Sequence, residues 1–298
     1  MTSSFPFVFR DGIYAKYAKR NRVGTIKNIR ALFEKHFLDE IDTEILLHLQ
    51  KYVYLNAFLI RTLLGRSLEK CTPEFCKTRL KKLERMGFIV RFQFFYQDDN
   101  NIEHATPFVY NLSEAGRRIF PIKDDKSFDI TMDIDCVQRR LSYNQFHIML
   151  ENQYGSALTY SSYLFGNEYD GLYKLQSNNM PLIFYVFSIR SGHEWEKNYL
   201  KRLRKFKASI CDTGLSYSGL IVICENEYQS LRAERCRSGD SSLLDIDIYY
   251  ICDYAAVAEG AILHNLIIAR PENNYESYDI IKLNVDGHVK ANVVNVSE

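Results

Sequence analysis

The chain has 298 residues, 46% apolar and 25% charged, with seven cysteines and a formal net charge of +1; this is an ordinary make-up for a soluble globular protein, and the length allows two domains. No cysteine lies in a C-x-x-C pair, the start MTSSFPFVFRDG is not a signal peptide, and the apolar stretch AAVAEGAILHNLIIA is too short and too polar to span a bilayer, so reduced thiols in a cytoplasmic protein are expected and a zinc framework is not. The near-neutral total conceals an asymmetry: residues 1–122 hold 20 Lys and Arg against 13 Asp and Glu, a net of +7, whereas residues 123–298 come to −6, so the first half is the one suited to a polyanion.

The first recognisable segment is a basic arm, YAKYAKRNRVGTIKNIR, which supplies Lys16, Lys19, Arg20, Arg22, Lys27 and Arg30. Three short helices are predicted after it. DEIDTEILLHLQKY places Ile41, Ile45, Leu46 and Leu49 on one face. NAFLIRTLLG starts at the polar Asn56 and stops at Gly65. CTPEFCKTRLKKLERMG has Thr72 to cap it, Pro73 at the first helical position, Glu74 in the first turn and Gly87 to end it. Its inner face is Cys76, Leu80, Leu83 and Met86. Two strands, FIVRFQFFY and TPFVYNL, are joined by the turn-rich QDDNNIEHA, and SEAGRRIF closes the half as a short helix capped by Ser113.

PIKDDKSFDITMDID (121–135) is polar, acidic and opens with Pro121, so it reads as the connection between domains. The expected division is 1–122, a linker over 123–135, and 136–298. Beyond it, VQRRLSYNQFHIMLENQYG is helical, and ALTYSSYLF, EYDGLYKLQ and LIFYVFSIR are strands. GHEWEKNYLKRLRKFKASI is a helix, SYSGLIVICEN a strand, EYQSLRAERCRSG a helix and LDIDIYYICD a strand. This order describes an α/β layout around a mixed sheet.

Three helices followed by a two-stranded ribbon make a winged helix-turn-helix, an α+β module whose third helix enters a major groove. Lys77, Lys81 and Arg85 recur one turn apart on that helix, with Thr78 and Lys82 beside them. Such spacing lines cations along one edge, where they can neutralise successive phosphates. Thr72, Glu74 and Thr78 lie toward the helix start, the end that approaches base edges. Arg91 and Gln93 on the first strand of the wing can reach the backbone. In the second half, HEWEKNYLKRLRKFKASI carries an apolar stripe of Trp195, Tyr199, Leu203 and Phe206. Lys197, Lys201, Arg204, Lys205 and Lys207 crowd the rest of it, either as a solvated face or as a second DNA surface.

FCKTRLKKLERMGFIVRF and TPFVYNLSEAGRRIF resemble the third helix, wing and following helix of many bacterial winged-helix proteins, with Tyr110, Leu112, Ser113 and Gly116 matching a Y-x-L-S/T-x-x-G turn after the wing. The element order of the second half resembles the PD-(D/E)xK restriction-endonuclease-like core. That resemblance implies an Asp opening the second strand, an acid on the third, and a Lys two positions later. The two acids hold a divalent metal through hard oxygens, and the metal polarises phosphate and acidifies water. Asp170 in EYDG matches the first acid, but Ser188 and Arg190 fall where the second acid and the lysine belong. A hydroxyl lacks the charge, and an arginine stays protonated. Of the neighbouring carboxylates Glu168, Glu194 and Glu196, Glu194, at the start of the next helix, is the expected substitute.

The two halves together resemble the replication-relaxation family of bacterial mobile elements. This resemblance implies a non-catalytic, DNA-binding accessory or regulator of a plasmid or conjugative element. Its partners would be double-stranded DNA, a second copy of the chain, and a relaxosome or replication protein. A divalent-metal endonuclease using Asp170 and Glu194, and a winged-helix protein-interaction scaffold, are the alternatives. No cofactor is expected: there is no phosphate-loop or dinucleotide motif, and the seven histidines have no metal-ligand spacing.

Overall fold

The polar starts and glycine stops read from the sequence are in place in the computed structural model. It describes residues 14–17, 26–35, 37–69, 71–97, 100–121, 134–162, 169–176, 181–213, 217–257, 262–271, 276–283 and 289–294. They form a mixed α+β structure with two sheets. Two compact units divide between Asn144 and Gln145.

In the first unit β1 (Tyr14–Tyr17) and α1 (Ile26–Glu34) precede the three expected helices, α2 (Glu40–Tyr52), α3 (Ala57–Leu64) and α4 (Pro73–Arg85). Each of these three has a side-chain cap. Asp39 accepts from the Asp42 N–H at 2.9 Å, Asn56 from the Leu59 N–H at 2.8 Å, and Thr72 from the Phe75 N–H at 3.2 Å. A cap of this kind contributes about 1 kcal/mol. After α4, Gly87 takes φ 80°, a left-handed turn that glycine adopts without a Cβ clash.

Ile45, Leu46 and Leu49, Leu59, Ile60 and Leu63, and Cys76, Leu80 and Leu83 are all buried. Ile41 and Met86, read as inward-facing, are only half-buried, because each lies at the end of its helix.

The first sheet is antiparallel. Its strands are β1, β2 (Leu55–Asn56), β3 (Ile89–Gln97), β4 (Glu103–Ala105) and β5 (Val109–Leu112), in the order β1-β3-β5-β2 with β4 also on β3. Two expectations are corrected here. The basic arm is not all arm: its first residues are β1, which pairs with Phe92–Phe95 and covers an aromatic strand edge. Lys16 on it sits 4.6 Å above the Phe95 ring and 3.7 Å from Glu103. The turn-rich QDDNNIEHA likewise contains β4, which extends the ribbon.

The ribbon leads into α5 (Glu114–Ile119). The Ser113 hydroxyl donates to Gly87 O at 2.6 Å and accepts from the Gly116 N–H at 2.9 Å. A Cβ on Gly116 would come within 2.2 Å of the Phe88 carbonyl oxygen. The Ser and Gly of the Y-x-L-S-x-x-G turn thus fasten α5 to the end of α4.

The boundary also differs from the expected linker. Residues 122–133 lie outside the described residues, and residues 134 and 135 already belong to α6 (Ile134–Tyr154). Arg140 donates to Tyr52 O at 3.3 Å, and Asn144 donates to Tyr52 O at 3.0 Å and to Tyr54 O at 2.7 Å. These bonds hold the first turns of α6 to the first unit, although the polar composition ends earlier.

The second sheet runs in chain order through eight strands. β6 (Leu158–Ser162), β7 (Gly171–Leu175) and β8 (Leu182–Ser188) form an antiparallel meander. α7 (Trp195–Thr213) and α8 (Glu227–Ser238) cross over to β9 (Gly219–Cys224) and β10 (Ile248–Cys252), which are parallel to β8. Helical crossovers are what parallel pairing requires. β11 (Leu266–Pro271), β12 (Glu276–Leu283) and β13 (Val289–Val294), beyond the elements read from the sequence, add an antiparallel meander.

Along β8 the faces alternate. Tyr185 and Phe187 meet Phe206 and Tyr199 of α7, with ring centroids 5.0 and 6.1 Å apart. Phe184 and Val186 join Phe146 and Leu150 of α6 on the other face. Among the described residues, no helix is long and apolar enough to cross a membrane.

Candidate nucleic-acid interface

α4 is amphipathic in charge as well as in hydropathy. With Cys76, Leu80 and Leu83 turned inward, the basic residues divide into two sets. Lys82 and Arg79 face α2: Lys82 pairs with Asp42, and Arg79 pairs with Asp39 and lies 3.4 Å from Asp42. Asp42 is 0% exposed. Its carboxylate is therefore the anchor that fixes α4 against the start of α2, and the sequence reading missed it. The signal was present in D-x-x-D, where Asp42 also completes the capping box with Asp39.

On the other side Lys77, Lys81 and Arg85 are exposed, and among the described residues none has a hydrogen-bonding or ionic partner. At 1.5 Å per residue the three cations mark out a ridge about 12 Å long. Beside it an open hollow of about 480 Å³ is lined by Thr78, Lys81, Lys82, Arg85 and Met86.

The remaining residues read as DNA contacts divide similarly. Lys82 is committed to Asp42 and is not a free contact. Arg91 is 2.9 Å from Glu84 and stacks 4.4 Å over Phe108, so its charge is already balanced. Thr72 uses its oxygen as the α4 cap, and the Thr78 hydroxyl donates to Glu74 O at 2.9 Å. Glu74 is exposed in the first turn. Lys19, Arg20 and Arg22 lie outside the described residues.

In the second unit Asp170 is fully buried. Its Oδ2 accepts from the Ser188 N–H at 2.7 Å, and its Oδ1 accepts from Arg202 at 3.1 Å. Arg202 also donates to Ser188 O at 2.9 Å and lies 4.3 Å over the Phe187 ring. Both Asp170 oxygens thus have protein donors, and one of these donors is a guanidinium. Glu194 sits in a turn at φ 55° and accepts from Lys197 at 2.6 Å. Among the described residues, no group of three or more His, Cys, Asp or Glu is placed to hold a metal. The seven cysteines form no disulfide.

Past the carboxyl ends of β8, β9 and β10 lies a polar cluster that the sequence did not reveal. Buried Arg190 donates to Asp253 at 2.8 Å. Glu225 accepts from the Ser191 N–H at 2.9 Å, and Gln229 donates to Ser191 Oγ at 3.0 Å. Burial lifts the Glu225 carboxyl to about 7, against the opposing pull of Arg190 and of the Ser191 hydrogen bonds.

Comparison with protein-family models, curated proteins and solved structures finds no match to this chain.

Proposed function

We propose that the chain is a non-catalytic duplex-DNA-binding protein in which α4 reads DNA as the third helix of a winged helix-turn-helix. The observation that carries the reading is the ridge of Lys77, Lys81 and Arg85, exposed and without protein partners among the described residues. On the same helix Lys82 and Arg79 are neutralised by Asp42 and Asp39, whereas among the described residues these three have no such carboxylate. Support also comes from the succession of α2, α3 and α4, then the antiparallel β3, β4 and β5 in the place of a wing.

The second unit is read as a nuclease-like fold that has lost its chemistry. α6, the β6–β8 meander, α7 and parallel β9 follow that order, while Asp170 is engaged by Arg202. The resemblance to the replication-relaxation family gives the setting, an accessory or regulatory protein of a plasmid or conjugative element.

The test is a salt titration of binding to mixed-sequence duplex DNA. Each phosphate contact contributes about 0.9 to the slope of log K against log salt. Replacing Lys77, Lys81 and Arg85 together by alanine should weaken binding on all sequences and reduce the slope by about 2 to 3. Wild-type protein that fails to bind DNA at low salt, or a triple variant with an unchanged slope, would refute the proposal.

A further inference from the structure

The second unit belongs to the acidic half of the chain, yet α7 concentrates Lys197, Lys201, Arg202, Arg204, Lys205 and Lys207 within eleven positions. As on α4, the structure divides them. Arg202 is turned inward onto Asp170 and Phe187. Arg204 pairs with Asp240 at 2.8 Å, and Lys207 with Asp245 at 2.7 Å. That leaves Lys197, Lys201 and Lys205, spaced four residues apart and all exposed. Among the described residues Lys197 pairs with Glu194 alone, an exposed contact of little energetic value. Among the described residues Lys201 and Lys205 have no partner.

Opposite this ridge Tyr199, Leu203 and Phe206 are buried, so the apolar contacts fix which way the lysines face. The ridge repeats the i, i+4, i+8 pattern and the length of about 12 Å found on α4.

We infer that α7 is a second phosphate-binding surface, which grips the backbone of duplex DNA independently of sequence. This rests on the reading of the chain as a DNA-binding protein, and it assigns to the second unit a direct share of the affinity. The ridge adds no base readout, because lysine ammonium groups on phosphates carry no sequence information.

The experiment compares the full-length protein with two variants, Lys201→Gln/Lys205→Gln and the triple that adds Lys197→Gln, on a 30-base-pair duplex across a salt series. All three sites are exposed, so the fold is retained. If the electrostatic gain vanishes near 1 M salt, each lost phosphate contact lowers affinity by roughly tenfold at 0.1 M. The double variant should bind on the order of 50- to 100-fold more weakly at 0.1 M, with the slope reduced by about 2 and the ranking of DNA sequences unchanged.

Wild-type affinity and slope in both α7 variants, with binding still lost in the α4 triple alanine, would overturn this inference and leave the reading of α4 intact. Retained binding in the α4 variant together with loss in the α7 variants would do the reverse. Loss confined to anionic vesicles, with DNA binding unchanged, would also overturn it.

Discussion

Replacing Asp170 by alanine isolates the role of the buried carboxylate from the nuclease role that its place in the sequence invites. Two groups lose their partner. The Ser188 N–H, now 2.7 Å from Oδ2, becomes an orphaned buried donor, which costs about 1–3 kcal/mol. Arg202, with 13% of its side chain exposed, loses the carboxylate of a largely buried ion pair, and breaking a buried pair in this way costs about 3–5 kcal/mol. These are overlapping measures of one defect, so the expected loss is about 4 kcal/mol, a large part of the 5–15 kcal/mol that holds an ordinary domain together.

Asp170→Asn should cost less, about 2 kcal/mol, because its amide oxygen still accepts from Ser188. The chain's only tryptophan, Trp195, lies at the start of α7, so its fluorescence during urea unfolding reports on the second unit. With a slope of about 2 kcal/mol per molar urea, the alanine variant should unfold about 2 M earlier than wild type. A wild-type midpoint, or a stable variant that loses a metal-dependent cleavage activity, would refute the structural role.

Two further perturbations test other parts of the fold. Glu225 has a carboxyl raised from 4.5 to about 7, so the folded state holds its proton more tightly than the unfolded chain. The stability this contributes is fully present below about pH 4.5 and is lost as pH rises through about 7, by up to roughly 3 kcal/mol. Glu225→Gln should match wild type near pH 4 and exceed it near pH 8; a stability difference that stays constant over that range would contradict the reasoning. Gly116→Ala drives a methyl group into the Phe88 carbonyl. It should cost about 1–3 kcal/mol in urea unfolding followed by circular dichroism, and an unchanged midpoint would show that α5 can shift freely.

What was legible in the sequence was local. Asn56, Thr72-Pro73-Glu74 and Ser113 announce helix starts because a cap is satisfied within three residues, and all three caps form. The βαβ order of the second unit was equally readable, since apolar runs and amphipathic stretches alternate. Distant electrostatic pairing was not. Lys82 and Asp42 are 40 positions apart, and nothing near Lys82 separates it from Lys81. Arg202, between Lys201 and Arg204, drew no reading from the sequence. Its position three residues after Tyr199 and next to Leu203 puts it on the buried side, and that periodicity was the available clue. The arm was misread because strand β1 depends on an edge supplied by β3, some eighty residues later.

The mooring of α4 at Asp42 has a mechanical consequence. A helix held only by greasy contacts can roll about its axis by sliding leucines past one another at little expense. One clamped through two cations to a single sunken carboxylate cannot, because any rotation would strand charge away from its mate. The outward lysines and arginine are therefore presented at a set azimuth, and whatever they meet must come to them on that bearing.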